Sequence, residues 1–156
     1  MPKRTYQQYS RDGRLINDPE AVGRVRDTLP APTTCRFCGA PVELVNNAKF
    51  YGGREFGWPF AYACCACGAR VGCHPGTDIP LGTLADKATT QARRAAHAAF
   101  DPLWQNKGAG VRKRAYQALS KAMGKDAAHI SWMDAEDCLT VVSLVKAGRI
   151  QTGNGT

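Results

Sequence analysis

No apolar run in the chain approaches the roughly eighteen residues that a membrane-crossing helix requires, so the sequence predicts no span. Its opening residues, MPKRTYQQYSRDGR, are polar and lack the apolar segment of a secretory signal, and the expected compartment is the cytosol. There is no internal repeat, which sets aside solenoids and arrays. Neither a familiar nuclease metal spacing nor a nucleophile motif occurs, so catalysis has no motif to rest on. Acidic residues are scarce over residues 81–125, where two Asp/Glu stand against nine Lys/Arg.

That scarcity matters more than the net charge of +8. Residues 1–30 carry six basic and four acidic side chains, residues 31–80 four and three, and residues 126–156 two and four. The basic excess is therefore concentrated in one segment, the electrostatic footprint of a surface that neutralises phosphates and releases their counterions. A solvated basic face that only keeps the protein soluble has the same composition.

What is plentiful is cysteine. Seven occur in 156 residues. In a reducing compartment closely spaced cysteines point to metal or catalysis rather than to disulfides, and the odd count leaves at least one thiol spare. CRFCG places Cys35 and Cys38 two residues apart, and Cys64 and Cys67 in CCACG repeat both the spacing and the following glycine. Two such knuckles present four thiolates to a tetrahedral Zn2+, with tight-turn N–H groups aimed at sulfur. The intervening twenty-five residues exceed the usual loop of about fifteen to twenty, a length that a β-hairpin spans. One structural zinc is expected, held by Cys35, Cys38, Cys64 and Cys67. Cys65 then points elsewhere, and Cys73 reads as a free, partly buried thiol.

Along the chain, Asp18 and Pro19 open a short helix that Pro30 and Pro32 are expected to stop. PVELVNNAKFY and WPFAYACC read as the strands of a long hairpin around GGREFG. HPGTDIPLGT has no periodicity and reads as a connector. LADKATTQARRAAHAAF gives a helix with Ala88, Ala92, Ala95, Ala96, Ala99 and Phe100 on one face and Arg93, Arg94 and His97 on the other. FDPLWQ restarts the helix with Asp101 as its cap. VRKRAYQALSKAMG points Ala115, Tyr116, Leu119, Ala122 and Met123 inward and ends at Gly124. Asp134 opens a last helix with an inner stripe of Cys138, Leu139, Val142 and Val145. The expected class is a small α+β fold, a zinc ribbon followed by a helical unit of three to four helices. Residues 1–32 form an arm with a short helix, 33–74 the ribbon, 75–83 a connector, 84–148 the helical domain and 149–156 a flexible tail.

CRFCGAPVELV, YGG, CCACGARVGCHPGTDIPLGTLAD, RRAAHAAFDPLW and AYQALSKAMG with AHISWMDAEDC resemble a group of bacteriophage and prophage zinc-finger-containing domain proteins. The resemblance spans roughly residues 33–145 and is carried most distinctively by the stretch from VGCHPGT to FDPLW. It implies a phage origin, hence the host bacterial cytoplasm, a zinc ribbon and a helical C-terminal part, and it supplies no activity. The doubled Cys64–Cys65 departs from the group's pattern, where a single cysteine precedes a polar residue or proline, and leaves the choice of ligand open.

The function expected first is non-catalytic binding of DNA or RNA. Arg54 sits at the hairpin tip among Tyr51, Phe56, Trp58 and Phe60, while Arg93, Arg94, Arg112, Lys113 and Arg114 supply a stripe for a phosphate backbone. For Trp58 and Phe60 the competing role is to pack the ribbon against the helices. A second expectation is a protein-interaction module whose exposed tip engages a host machine such as RNA polymerase or a defence complex. A third is a metal-dependent nuclease built on His74, His97 and Asp101 with Asp78, although His97 and Asp101 read equally as a surface pair and HPGTDIP as a turn closed by Asp78.

Overall fold

The computed structural model describes residues 18–153; the arm over residues 1–17 and the tail residues 154–156 lie outside them. The chain divides into two compact units, the first ending at Asp86 and the second beginning at Lys87. Together they make a small α+β protein with one three-stranded antiparallel sheet and several helices.

In the first unit, helix α1 (Pro19–Arg24) starts as its sequence dictates, the Asp18 carboxylate accepting the N–H groups of Glu20 at 2.8 Å and Ala21 at 3.0 Å. It ends well before Pro30 and Pro32. Gly23 and β-branched Val25 are poor helix formers, and Val25 is already extended, with φ −79 and ψ 115.

Strands β1 (Val42–Asn46), β2 (Phe60–Cys64) and β3 (Arg70–Gly72) lie in that order, with Val42 opposite Cys64 and Tyr62 opposite Val71. β1 stops at Asn46 rather than running on to Tyr51. The Asn46 side chain accepts the Ala48 N–H at 2.8 Å and caps a single 3-10 turn, Asn47–Phe50. Next to it the Asn47 amide donates to the Phe56 carbonyl at 2.7 Å and accepts its N–H at 3.2 Å, so two adjacent asparagines shape the hairpin tip.

Central strand β2 is buried along its whole length, and the residues beyond β3 account for much of the cover. Residues 73–85, which read as the end of the ribbon, a connector and the first residues of the helical domain, lie back along the sheet, and the helix begins only at Lys87. Cys73 bridges Pro80, and Ala85 exchanges backbone hydrogen bonds with Arg70 at 2.9 and 3.1 Å. Two β2-side aromatics hold the segment: Trp58 Nε1 donates to the Thr77 carbonyl at 2.8 Å, and the Tyr62 hydroxyl to that of Asp78 at 2.6 Å. Asp18 N–H donates to the Gly76 carbonyl at 2.8 Å and ties α1 to the same loop. Thr77 closes the HPGT turn. Its hydroxyl donates to the His74 carbonyl at 2.9 Å and accepts the Ile79 N–H at 3.0 Å, with no exposed surface. Thr77→Val keeps the shape but orphans the Ile79 N–H, and is expected to lower the stability of this unit by about 2 kcal/mol in a urea titration.

The second unit contains α2 (Lys87–Phe100), α3 (Val111–Met123) and α4 (Ala135–Lys146). α2 packs chiefly on α4. Phe100, Ala96, Ala115, Leu119, Ile130, Cys138 and Val141 form the core. Four expectations about which side chains face inward are corrected. Ala88, Ala95 and Ala122 are exposed, as is Leu139 at 61%, while Val141 takes the place in the α4 stripe that Leu139 was expected to hold. In the alanine-rich α2 and α3 the 3.6-residue period fixes the buried arc only to within a residue or two, because small side chains weigh little in it. Asp101–Leu103 form one 3-10 turn rather than a restarted helix, and Asp101 lies inside it instead of capping it. Gly124 ends α3 at φ 65, as its position predicts. Ile150, expected in the tail, is buried in this core. Among the described residues no helix is long and apolar enough to cross a membrane.

Candidate functional site

The two knuckles are built alike. Cys35 N–H donates to the Ala40 carbonyl and Cys64 N–H to that of Ala69, each at 2.8 Å, so each C-x-x-C-G segment closes on itself. Gly39 and Gly68 both take φ 77, a left-handed conformation that explains why the same residue follows each pair. Pairing Val42 with Cys64 brings the second knuckle beside the first, which lies just before β1.

The sulfurs of Cys35, Cys38, Cys64 and Cys67 all lie within 4.8 Å of one another. Cys35 Sγ is 3.6 Å from Cys67 Sγ, and Cys38 Sγ is 3.4 Å from Cys64 Sγ. A tetrahedron of sulfurs at about 2.3 Å from zinc has edges of about 3.8 Å, so the cluster fits one structural zinc ion. Cys35 and Cys64 are buried, Cys38 and Cys67 exposed at the rim. Among the described residues this is the one group of three or more metal-ligating side chains drawn so close. Four thiolates complete the zinc shell and leave no position for water or substrate, as in closed structural sites.

Electrostatics in the cluster favour a cation. The Cys67 and Ala66 N–H groups, each 3.4 Å from Cys64 Sγ, hold that thiol down at about 6. At Cys35 burial pushes upward, but the Cys38 and Phe37 N–H groups outweigh it and the thiol lies below its ordinary value. At Cys67 the Ala69 N–H pulls downward, while burial and the three neighbouring sulfurs push the thiol up to about 12. Cys38 is raised in the same way, the Cys64 sulfur and burial overcoming the Ala40 N–H. Four sulfurs this close cannot all be negative unopposed, and a divalent ion removes that conflict.

Cys65 is exposed, its N–H directed to the Pro41 carbonyl at 3.1 Å. Cys73 is buried, and burial with Asp78 nearby pushes its thiol up to about 12, which makes it a poor nucleophile. His74 is half-buried, and burial holds its imidazole below the ordinary range. At the tip Arg54 is exposed. Tyr51 and Phe56 are exposed too, their rings 5.0 Å apart edge to face. Trp58 and Phe60 are instead committed to the sheet, 5.1 Å from each other, with Trp58 bonded to the 73–85 segment.

In the second unit, His97 Nδ1 lies 3.2 Å from both carboxylate oxygens of Asp101, the surface pair read from their four-residue spacing. Arg93 does not point away from the core: it is half-buried, and its Nε donates to the Met133 carbonyl at 3.0 Å. Arg112 leans over Trp104 and Tyr116, with centroid distances of 5.1 and 4.9 Å. Arg94, Lys113 and Arg114 are exposed. Two residues the sequence reading passed over join them, Gln117 and Lys121, since positions 113, 117 and 121 fall on one helix face and all are exposed. Among the described residues no acid pairs with Arg94, Lys113, Arg114 or Lys121.

Residues 31–148 match the family model for a zinc-finger-containing domain. No curated protein and no solved structure matches the chain.

Proposed function

The chain belongs to the zinc-finger-containing domain family, and from that premise we propose that it binds nucleic acid without catalysis, through the outer faces of α2 and α3. One observation carries the reading. Neither helix contains an acidic residue, while they supply Lys87, Arg93, Arg94, Arg112, Lys113, Arg114 and Lys121. Over the described residues of the second unit, eleven basic side chains face five acidic ones, whereas in the first unit six face seven. A basic surface of this kind attracts a phosphate backbone by releasing its counterions and needs no base contact to do so. In this reading Arg93 serves the core through its bond to Met133, and Arg112 is pre-set by its aromatic neighbours. The zinc cluster keeps a structural role, and the working compartment is the cytoplasm of a phage-infected bacterium.

If Arg94, Lys113, Arg114 and Lys121 each neutralise one phosphate, the affinity for duplex DNA falls about 100-fold between 50 and 200 mM salt, on the order of −0.9 in logarithmic slope per contact. Replacing Lys113, Arg114 and Lys121 by alanine reduces that slope by about three quarters. Fluorescence anisotropy with labelled duplex, single-stranded DNA and RNA measures both. Binding that ignores salt, or that the triple variant retains unchanged, sinks the proposal.

A second reading rests on the hairpin tip. Tyr51 and Phe56 are 46% and 57% exposed in a unit whose described charges nearly balance, a surface suited to a protein partner such as a host complex. Capture of one complex from nuclease-treated extract, lost with Tyr51→Ala and Phe56→Ala together, favours this reading over the first.

A further inference from the structure

Helix α4 buries Cys138 and Val141 on one side and turns a second stripe outward. There Leu139, Thr140, Ser143, Leu144 and Ala147 line a shallow groove, with Glu136 at one end and Arg149 at the other. Leu139, at 61%, is the most exposed of the large hydrophobic side chains among the described residues. The hydroxyls on this face are already satisfied within the helix, Thr140 donating to the Glu136 carbonyl at 3.2 Å and Ser143 to that of Leu139 at 3.1 Å. Covering the groove therefore strands no donor. Beyond the helix, Gly148 at φ 67 turns the chain so that the Arg149 N–H reaches the Leu144 carbonyl at 3.0 Å, which keeps Arg149 at the groove's end. Among the described residues no ion pair engages Glu136 or Arg149.

We propose that this face is the interface between two copies of the chain, with α4 packed antiparallel on α4 about a two-fold axis beside Ser143. The charge at the ends selects this occupant and this orientation. Acid at one end and base at the other make the groove complementary to its own inversion, so Glu136 of each copy meets Arg149 of the other. A parallel pairing sets like charges together at both ends. About the same axis, Leu139 of each copy falls over Ser143 and Ala147 of the second copy, residues small enough to let the helices approach. The inference stands apart from the nucleic-acid reading.

Sedimentation equilibrium of the full-length, zinc-loaded protein tests it. The expected result is a weak dimer with a Kd on the order of 10–100 μM, because one helix pair lies at the low end of interface sizes. Leu139→Asp is expected to weaken it at least about 10-fold without altering helix content, its position being exposed. Glu136→Arg and Arg149→Glu each weaken it about 5-fold at low salt, and the two together restore it to within about 2-fold. Both reversals oppose the helix dipole, so a fault in folding is worst in the double variant, opposite to the expected rescue. A monomer up to about 1 mM, a dimer indifferent to Leu139→Asp, or a double variant no tighter than either single one overturns the proposal; the last two results point to another face or another partner for the groove.

Discussion

Cys35→Ser is expected to weaken zinc binding at least about 1,000-fold and to unfold the first unit in the absence of excess metal. The unit cannot compensate from within. Its sheet has strands of five, five and three residues, and its buried cluster consists of Cys35, Phe60, Tyr62, Cys64, Ala69, Cys73 and Leu84. Two of those seven, Cys35 and Cys64, belong to the four-sulfur cluster, so the metal site and the core are one structure. In small zinc modules the binding free energy, about 10–16 kcal/mol, is folding free energy. Metal analysis should find one zinc per native chain and almost none in the variant, with loss of the Tyr62 and Trp58 environments seen by near-ultraviolet circular dichroism. Cys65→Ser is the control: an exposed thiol outside the cluster, its loss leaves zinc content unchanged. Full zinc in Cys35→Ser, or loss of it in Cys65→Ser, contradicts the assignment.

The same chemistry gives the pH dependence a sign. Zinc binds the thiolates, and the bound state therefore holds their pKa values far below those of the free thiols. Cys38 and Cys67 are raised without a cation, Cys67 to about 12, so near neutrality both release a proton when metal binds. Cys64, held at about 6, is already largely ionised there. With two or more protons released, affinity is expected to fall about 100-fold for each unit of pH lost around neutrality. Stability supplied by the metal is thus present at and above neutral pH and lost on acidification.

The metal site was legible because its chemistry is local: C-x-x-C-G fixes two ligands and the turn that presents them, whatever lies between. The cover of the sheet was not legible. Residues 73–85 show no periodicity, since they are held by Thr77, Trp58 and Tyr62 through individual hydrogen bonds across the fold, and such bonds leave no repeat in sequence. Hairpin length failed at Asn46, whose side chain caps a turn, and the residues that follow, Asn47, Ala48 and Lys49, are poor strand formers. The basic segment was legible as charge, but charge does not report orientation. Arg93 carries the same charge as Arg94 and lies against Met133, while Lys121, more than a turn past the Arg112–Arg114 cluster, shares the exposed face of Lys113. A contact surface is a property of helix phase, and phase is poorly fixed when the inward residues are alanines.

Phe100→Ala is expected to cost the second unit about 3–5 kcal/mol, the usual range for emptying a fully buried aromatic site. Phe100 has no exposed surface, and its ring meets that of Tyr116 edge to face at 4.9 Å and 73°. The surroundings cannot readily collapse into the space, because Ala96 and Ala115 are too short to fill it and Leu119 and Ile130 are already buried. For a unit of this size, such a loss lowers the thermal midpoint by more than about 12 °C. Zinc content should stay at one per chain, since Cys35, Cys38, Cys64 and Cys67 all belong to the first unit. The change also reaches the proposed nucleic-acid surface: Tyr116 loses its ring partner, and Arg112, resting on Tyr116 at 4.9 Å, loses part of its support. At temperatures where the variant remains folded, its affinity for duplex DNA should fall by no more than one phosphate contact's share, about 3-fold at moderate salt. A larger loss at full helix content would mean that α3 is positioned by Phe100 itself, whereas an unchanged midpoint would refute the assignment of Phe100 to the centre of this core.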